Sequence, residues 1–205
     1  MDQQGLDGSA GTRVLGARRR SDLLDRLVAL FLAQGFAAFT LDDLALRLHS
    51  SPETLRALAP DQAQLARTVL VHFFDETART AEARVAQAAD ARSRPGDYLF
   101  AVAAALAPGS NAFFRDLERC PSGRQVYEHA TRQAVRRVRE LLRDAVVAGR
   151  VRDVQASFIS DTVTAVTSRI SSGALLLATG LDDARAFAEL AALVAHGVAA
   201  PQVVR

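Results

Sequence analysis

A chain of 205 residues, 49% of them hydrophobic, can build a sizeable core, yet no stretch has the unbroken apolar length that a membrane span needs. All 25 basic residues are arginine against 23 acidic ones, so the pI of 9.3 reflects a formal net charge of only +2 with almost nothing titrating between histidine and tyrosine. One cysteine excludes an internal disulfide, and a start containing Asp2 and Asp7 without an apolar segment does not read as a secretory leader, so a soluble cytoplasmic protein is expected.

Residues 1–17, with scattered Gly and Ser, read as a flexible tail, and Arg18, Arg19 and Arg20 follow it directly before the first helix. That triplet is either a solvated charge run or an arm that reaches a DNA minor groove. In the first helix Leu24, Leu27, Val28 and Phe31 recur at the spacing of a core-facing stripe, while Asp22, Asp25 and Arg26 lie off it. Gly35 stops this helix with a left-handed cap, and Phe36 and Phe39 fold back onto the stripe. Thr40 caps the next helix, with Asp43 completing a capping-box pair, and Leu41, Leu44, Ala45 and Leu48 form its buried face. Ser51 and Pro52 start a third helix as N-cap and first helical residue. Leu55 and Leu58 point inward there, which leaves Glu53, Thr54, Arg56 and Ala57 outside. Pro60 ends it, and Asp61 with Gln64 caps a long fourth helix over 62–89. Two short helices joined by a tight turn form the geometry that lowers the second one into a major groove.

Beyond Leu70 the pattern is helical throughout, with breaks at Pro95-Gly96, Pro108 to Ser110, Cys120 to Gly123, Gly149 to Asp153 and Gly180. These predict helices over 96–107, 111–119, 123–148, 154–179 and 182–199, an all-α chain of nine helices.

The block from Leu24 to Leu70 resembles the DNA-binding head of TetR-type transcriptional regulators. The likeness rests on Phe31, Gly35, Phe36, Thr40, Leu44, Ala45, Leu48, Ser51, Thr54, Leu55, Pro60 and Leu65, in register without a gap. It implies a helix-turn-helix domain over 18–66 and a ligand-binding and dimerisation domain over 67–205. It also implies a phosphate contact from Thr40, and Ser51, Glu53, Thr54 and Arg56 facing the groove. Four positions depart from the family pattern. Arg56 replaces a phosphate-holding Tyr, Leu58 and Ala59 replace aromatic residues, and Gln62 replaces a phosphate-binding Lys. Arg56 can fork onto phosphate or a guanine edge in place of the lost contact. The head is also neutral: residues 1–70 hold 8 Arg and 8 Asp plus Glu, whereas affinity for the DNA backbone grows with each phosphate neutralised.

By the same resemblance, Tyr98, Phe100, Val102, Leu106, Phe113, Phe114, Tyr127, Thr131 and Phe158 surround an apolar effector carrying one polar group; the other reading is ordinary core. A homodimer is expected through the eighth helix, with the small residues Thr164, Ala165, Thr167, Ser168, Ser171, Ser172, Gly173 and Ala174, and Leu175 beside them. Phe187, Leu190, Leu193 and Val194 of the ninth helix join that interface, unless both helices simply pack within one chain. His49, His72, His129 and His196 are scattered over four helices with no acidic or thiolate partner at ligand spacing in the sequence, so no metal is expected. Cys120 reads as an inert loop thiol rather than an oxidation sensor. The stripe Arg132, Arg136, Arg139 and Arg143 reads as a salt-bridged solvent face interleaved with Glu128, Glu140 and Asp144.

No nucleophile triad, phosphate loop or dinucleotide fingerprint is present, so neither a cofactor nor an enzyme is expected. Two functions remain open at this point. One is a ligand-responsive regulator, a repressor that binds a palindromic double-stranded operator as a homodimer and is released by a small apolar effector. The other is a body of the same architecture whose degenerate head serves a small-molecule or lipid carrier or a protein-interaction module.

Overall fold

The computed structural model describes residues 7–197, with side chains described at residue 16 and from residue 18 on. Ten helices and no strand occur among the described residues: α1 (Asp7–Gln34), α2 (Leu41–Arg47), α3 (Pro52–Leu58), α4 (Gln62–Gln87), α5 (Arg94–Leu106), α6 (Asn111–Arg119), α7 (Pro121–Val147), α8 (Asp153–Ser171), α9 (Ala174–Thr179) and α10 (Asp183–Gly197). Two expectations are corrected. The first helix begins at Asp7, so Arg18, Arg19 and Arg20 are exposed residues of α1 rather than an arm ahead of it; residues 1–6 of the expected tail lie outside the described residues. The single helix expected over 154–179 is two, because Gly173 takes φ +68° and ends the α8 hydrogen-bond ladder. That raises the count from nine to ten. The ninth expected helix corresponds to α10, and residues 198–199 lie outside the described residues.

Packing follows the apolar stripes. Leu24, Leu27 and Phe31 of α1 are buried with Leu44, Ala45 and Leu48 of α2, Leu55 of α3 and Leu65 and Val69 of α4, which holds the first four helices together at one end. Toward its other end α4 buries Ala81 and Val85 among Tyr98 and Leu99 of α5, Val138 and Leu141 of α7 and Leu190 and Val194 of α10. A helix of 26 residues spans about 39 Å, so α4 runs through both regions. Helices α5 and α10 approach closely at Gly96, where an added Cβ would stand 2.9 Å from the Ala195 Cβ.

α6 and α7 fasten the two ends to each other. Phe113 of α6 sets its ring edge-on to Phe36 and Phe73 at centroid distances of 6.3 and 6.0 Å. The Ser110 N–H ahead of α6 donates to the Leu32 carbonyl of α1 at 2.8 Å. Two further N–H groups, of Phe36 and Ala37, donate to one carboxylate oxygen of Asp116 at 2.7 and 2.9 Å.

Candidate functional site

The cap signals of the head have formed. The Asp43 N–H donates to the Thr40 hydroxyl at 3.1 Å, the Thr40 N–H donates back to the Asp43 carboxylate at 2.9 Å, and the Thr40 hydroxyl donates to the same oxygen at 2.7 Å. Those hydrogen bonds, first the one from the Thr40 hydroxyl, hold the Asp43 carboxyl below its ordinary range. Between α2 and α3 His49 adopts φ +48°, the tight turn that redirects the chain. The Ser51 hydroxyl then accepts the Thr54 N–H at 3.2 Å and Pro52 opens α3.

Leu55 is fully buried beneath α3, and on the opposite face Glu53, Thr54, Arg56 and Ala57 are exposed. Ser51 is exposed at the same end, and Arg56 lies 3.8 Å from Glu53. The structure thus brings Thr40, Ser51, Glu53, Thr54 and Arg56 to the exterior of one helix-turn-helix unit. Three side chains there are engaged by other parts of the chain. The Gln62 amide donates to the Phe36 and Ala37 carbonyls at 3.4 and 3.3 Å, bracing the turn after α1. Arg26 donates to the Leu48 carbonyl, and Arg47 donates to Gln34 at 3.0 Å while its guanidinium lies 4.9 Å above the Phe39 ring. Sequence reasoning missed these braces because each partner belongs to a different helix or turn.

In the body, a cavity of about 870 Å³ lies between α4, α5, α7, α8 and α10. Its apolar wall includes Val71, Phe74, Val102, Leu106, Val135 and Phe187, and Tyr98, Tyr127 and Thr131 join it; charged side chains such as Arg67, Glu82 and Arg137 also line it. Arg137 is fastened to Glu82 at 2.7 and 3.0 Å and to Glu140 at 3.0 Å, which ties α7 to α4 beside the cavity. The Tyr127 ring stacks on Phe74 at 5.8 Å, and its hydroxyl donates to Asp183, at the start of α10, at 2.8 Å. Burial pushes the Asp183 carboxyl up to about 6, against the pull of the Tyr127 hydrogen bond, and burial together with Asp183 raises the Tyr127 phenol well above its ordinary value.

Of the residues expected around an effector, Tyr98, Val102, Leu106, Tyr127 and Thr131 line this cavity. The others do not, and the expectation is corrected for them. Phe113 and Phe114 are buried in the junction between head and body because α6 packs on α1. Phe158 is 74% exposed, since Ala156, Ile159 and Val163 take the inner positions of α8, and Phe100 is exposed on the outer face of α5.

The expected dimer surface is corrected likewise. Phe187, Leu190 and Val194 are buried within the chain, Phe187 on the cavity and the other two in the core shared with α5 and α7, rather than set on its outer surface. Leu175 is half-buried against the chain's own core, and the Thr164 hydroxyl accepts from Arg139 at 2.8 Å. Ser171 is half-buried, whereas Ser168 and Ser172 are exposed. The large apolar side chains that do face outward on α8 and α10 are Val154 (78%), Phe158 (74%) and Leu193 (59%). The arginine stripe of α7 is also not simply a solvent face. Arg132 pairs with Glu128 at 3.6 Å, but Arg139 is half-buried and turned onto α8. Burial raises the Cys120 thiol, which keeps it protonated. No group of three metal-ligating side chains and no helix long and apolar enough to cross a membrane occurs among the described residues.

No protein-family model and no curated protein matches the sequence. Solved structures do match. A protein of Syntrophomonas wolfei described as a TetR-family transcriptional regulator superposes with a TM-score of 0.61 at 12% identity, over 93% of this chain and 100% of its own. The TetR-family transcriptional regulator PfmR of Thermus thermophilus gives a TM-score of 0.54 at 16% identity, over 85% of this chain and 97% of its own. A Clostridium perfringens protein described as a fatty acid metabolism regulator gives 0.54 at 12% identity, over 87% of this chain and 99% of its own. With its helix-turn-helix end, its long α4 and its helical body, the chain has the fold of the TetR-family transcriptional regulators.

Proposed function

We propose that the protein is a homodimeric, DNA-binding transcriptional regulator, acting as a repressor, whose body takes an effector with an apolar part. The observation that carries this reading is the exposed face of α3, Glu53, Thr54, Arg56 and Ala57, held out by a buried Leu55 on a capped two-helix unit. A helix presented in that way docks in a major groove, with Arg56 as its one cation able to fork onto a guanine edge or a phosphate. The body supplies the second half of the reading, a cavity of the size that small-molecule sites have, crossed by the same α4 that packs against the head. Effector binding there shifts the population toward a spacing of heads that no longer spans adjacent grooves. The exposed Val154, Phe158 and Leu193 give a second copy an apolar surface on α8 and α10.

The test is a fluorescence-anisotropy titration against genomic fragments at two salt concentrations. A palindromic fragment is expected to bind with salt-sensitive affinity, and Arg56→Ala to weaken it by about 1–3 kcal/mol. Phe158→Glu is expected to convert a sedimenting dimer to monomer and to abolish tight binding with it.

A second reading has its own observations. The Gln62 amide is committed to backbone carbonyls, the Thr40 hydroxyl proton to Asp43, and the exposed Asp42 and Asp43 place negative charge at the α2 N-terminus, where a phosphate would approach. These favour a body of this fold working as a small-molecule carrier. Failure of every fragment to bind above non-specific background selects it.

A further inference from the structure

The cavity of the body has an arginine-rich neighbour. Beside it, between α7 and α8, lies a groove of about 720 Å³, and Glu128, Thr131, Arg132, Val135 and Thr167 line both. The inner cavity combines an aliphatic and aromatic wall with charged residues such as Arg67, Glu82 and Arg137. The groove presents guanidinium groups and hydroxyls, with Val135 as its sole aliphatic residue.

Charge in the groove is unbalanced. Arg124, Arg132, Arg136 and Arg139 face two carboxylates, Glu118 and Glu128. Arg132 reaches Glu128 at 3.6 Å, but among the described residues no carboxylate lies within ion-pair distance of Arg124, Arg136 or Arg139. Arg139 is also half-buried. Its Nε donates to the Ser160 hydroxyl at 3.0 Å and its Nη2 to the Thr164 hydroxyl at 2.8 Å, so neutral oxygens hold the fork against α8. A guanidinium withdrawn from water without a counter-ion gains more from an anion than an exposed one does, and its planar donors suit carboxylate or phosphate oxygens. The two glutamates in the same groove disfavour a highly charged ligand, which leaves a single anionic head as the fitting group.

We propose that the effector is an amphipathic anion, its apolar chain in the cavity against Phe74 and Val102 and its carboxylate or phosphate head in the groove at Arg136 and Arg139. This rests on the reading of the body as an effector site and adds the chemical class. Thr131, Val135 and Thr167 line both recesses and mark the boundary that the ligand spans in this proposal.

Calorimetric titration of the full-length protein with decanoate, decyl phosphate and 1-decanol, below micelle formation and without DNA, tests the assignment. At least one anion is expected to bind saturably and about tenfold or more tightly than the alcohol, the size of one charge-assisted hydrogen bond. Which anion binds better identifies the head group. Arg136→Gln, at an exposed residue, is expected to remove most of that preference while leaving the melting temperature unchanged. Arg139→Gln is expected to remove it as well, with the melting temperature reporting any loss of its tie to α8. Absence of saturable anion binding, equal affinity for 1-decanol, or a preference that survives both substitutions overturns the proposal. Because DNA is absent, a protein that binds anions through Arg136 yet shifts no genomic fragment loses the operator reading alone, and the converse result loses this one alone.

Discussion

Asp116 offers the sharpest test of how the head is joined to the body. One of its carboxylate oxygens accepts the Phe36 N–H at 2.7 Å and the Ala37 N–H at 2.9 Å, the two residues that follow the turn at the end of α1. Hydrogen bonds to a charged acceptor contribute about 1.5–3 kcal/mol each when their donors would otherwise be buried. Phe36 is buried, so its N–H is stranded by Asp116→Ala, whereas Ala37 is exposed and its N–H regains water. The expected loss is therefore about 2–4 kcal/mol rather than the full sum. For a domain of this size it corresponds to a fall in Tm of roughly 6–12 °C. Asp116→Asn keeps an acceptor oxygen without the charge and is expected to lose about half as much. Urea unfolding followed by circular dichroism measures both variants. If Asp116→Ala lies within about 0.5 kcal/mol of the parent, ring packing at Phe36 and Phe113 alone holds the head, and the reasoning fails.

Gly35→Ala and Gly149→Ala form a matched pair. Both glycines have positive φ, +77° and +66°, but a Cβ at Gly35 would stand 2.5 Å from the Asp116 carboxylate whereas one at Gly149 meets nothing within 4 Å. Gly149→Ala is expected to cost only the left-handed backbone, about 1–2 kcal/mol, and Gly35→Ala clearly more; equal costs in urea unfolding would show that the turn relaxes freely. Asp183 makes a pH prediction. Its folded carboxyl titrates near 6 against an ordinary 3.8, so the native state holds this proton more tightly than the unfolded chain does. The contribution is then fully present below about pH 4 and is lost as pH rises through about 6, with a full size on the order of 3 kcal/mol. Asp183→Asn is expected to gain stability relative to the parent over that interval, and parallel stability-against-pH curves would count against it. Tyr127→Phe, which removes the donor to the ionised form, is expected to destabilise more at pH 8 than at pH 5.

The local signals were readable before any coordinates. Thr40 with Asp43, Ser51 with Pro52, and Asp61 with Gln64 mark helix starts within a few residues of sequence, and all three have formed. Gly173 was not read as a stop because its neighbours Ser171, Ser172 and Ala174 also suit a close-packed helix face, and only its left-handed φ separates the two uses. Aromatic residues show the same limit. Periodicity tells whether a ring is buried, not against which neighbour, so the packing of Phe113 and Phe187 in one cluster with Phe31 and Phe36 is not legible from it. The exposure of Phe158 depends on which face of α8 wins the interior. The role of Asp116 had no sequence signal, because its partners are 79 and 80 positions away. The arginine stripe of α7 looked like a solvent face until Ser160 and Thr164 of α8 proved to be the partners of Arg139.

One apolar cluster joins Leu27, Phe31, Phe36 and Leu55 at the N-terminal end to Phe113, Phe114, Tyr127 and Phe187 farther along the chain. The N-terminal four-helix unit is therefore no interchangeable cartridge. A chimera that grafts residues 18–66 onto a foreign body would leave Phe36 against a surface not shaped for it and remove the oxygen that holds its N–H. Recombination that exchanges the N-terminal unit between relatives while keeping a folded protein must carry the matching α6 along with it. Ancestral exchange of heads is thus expected to leave paired changes at the positions equivalent to 36, 113 and 116.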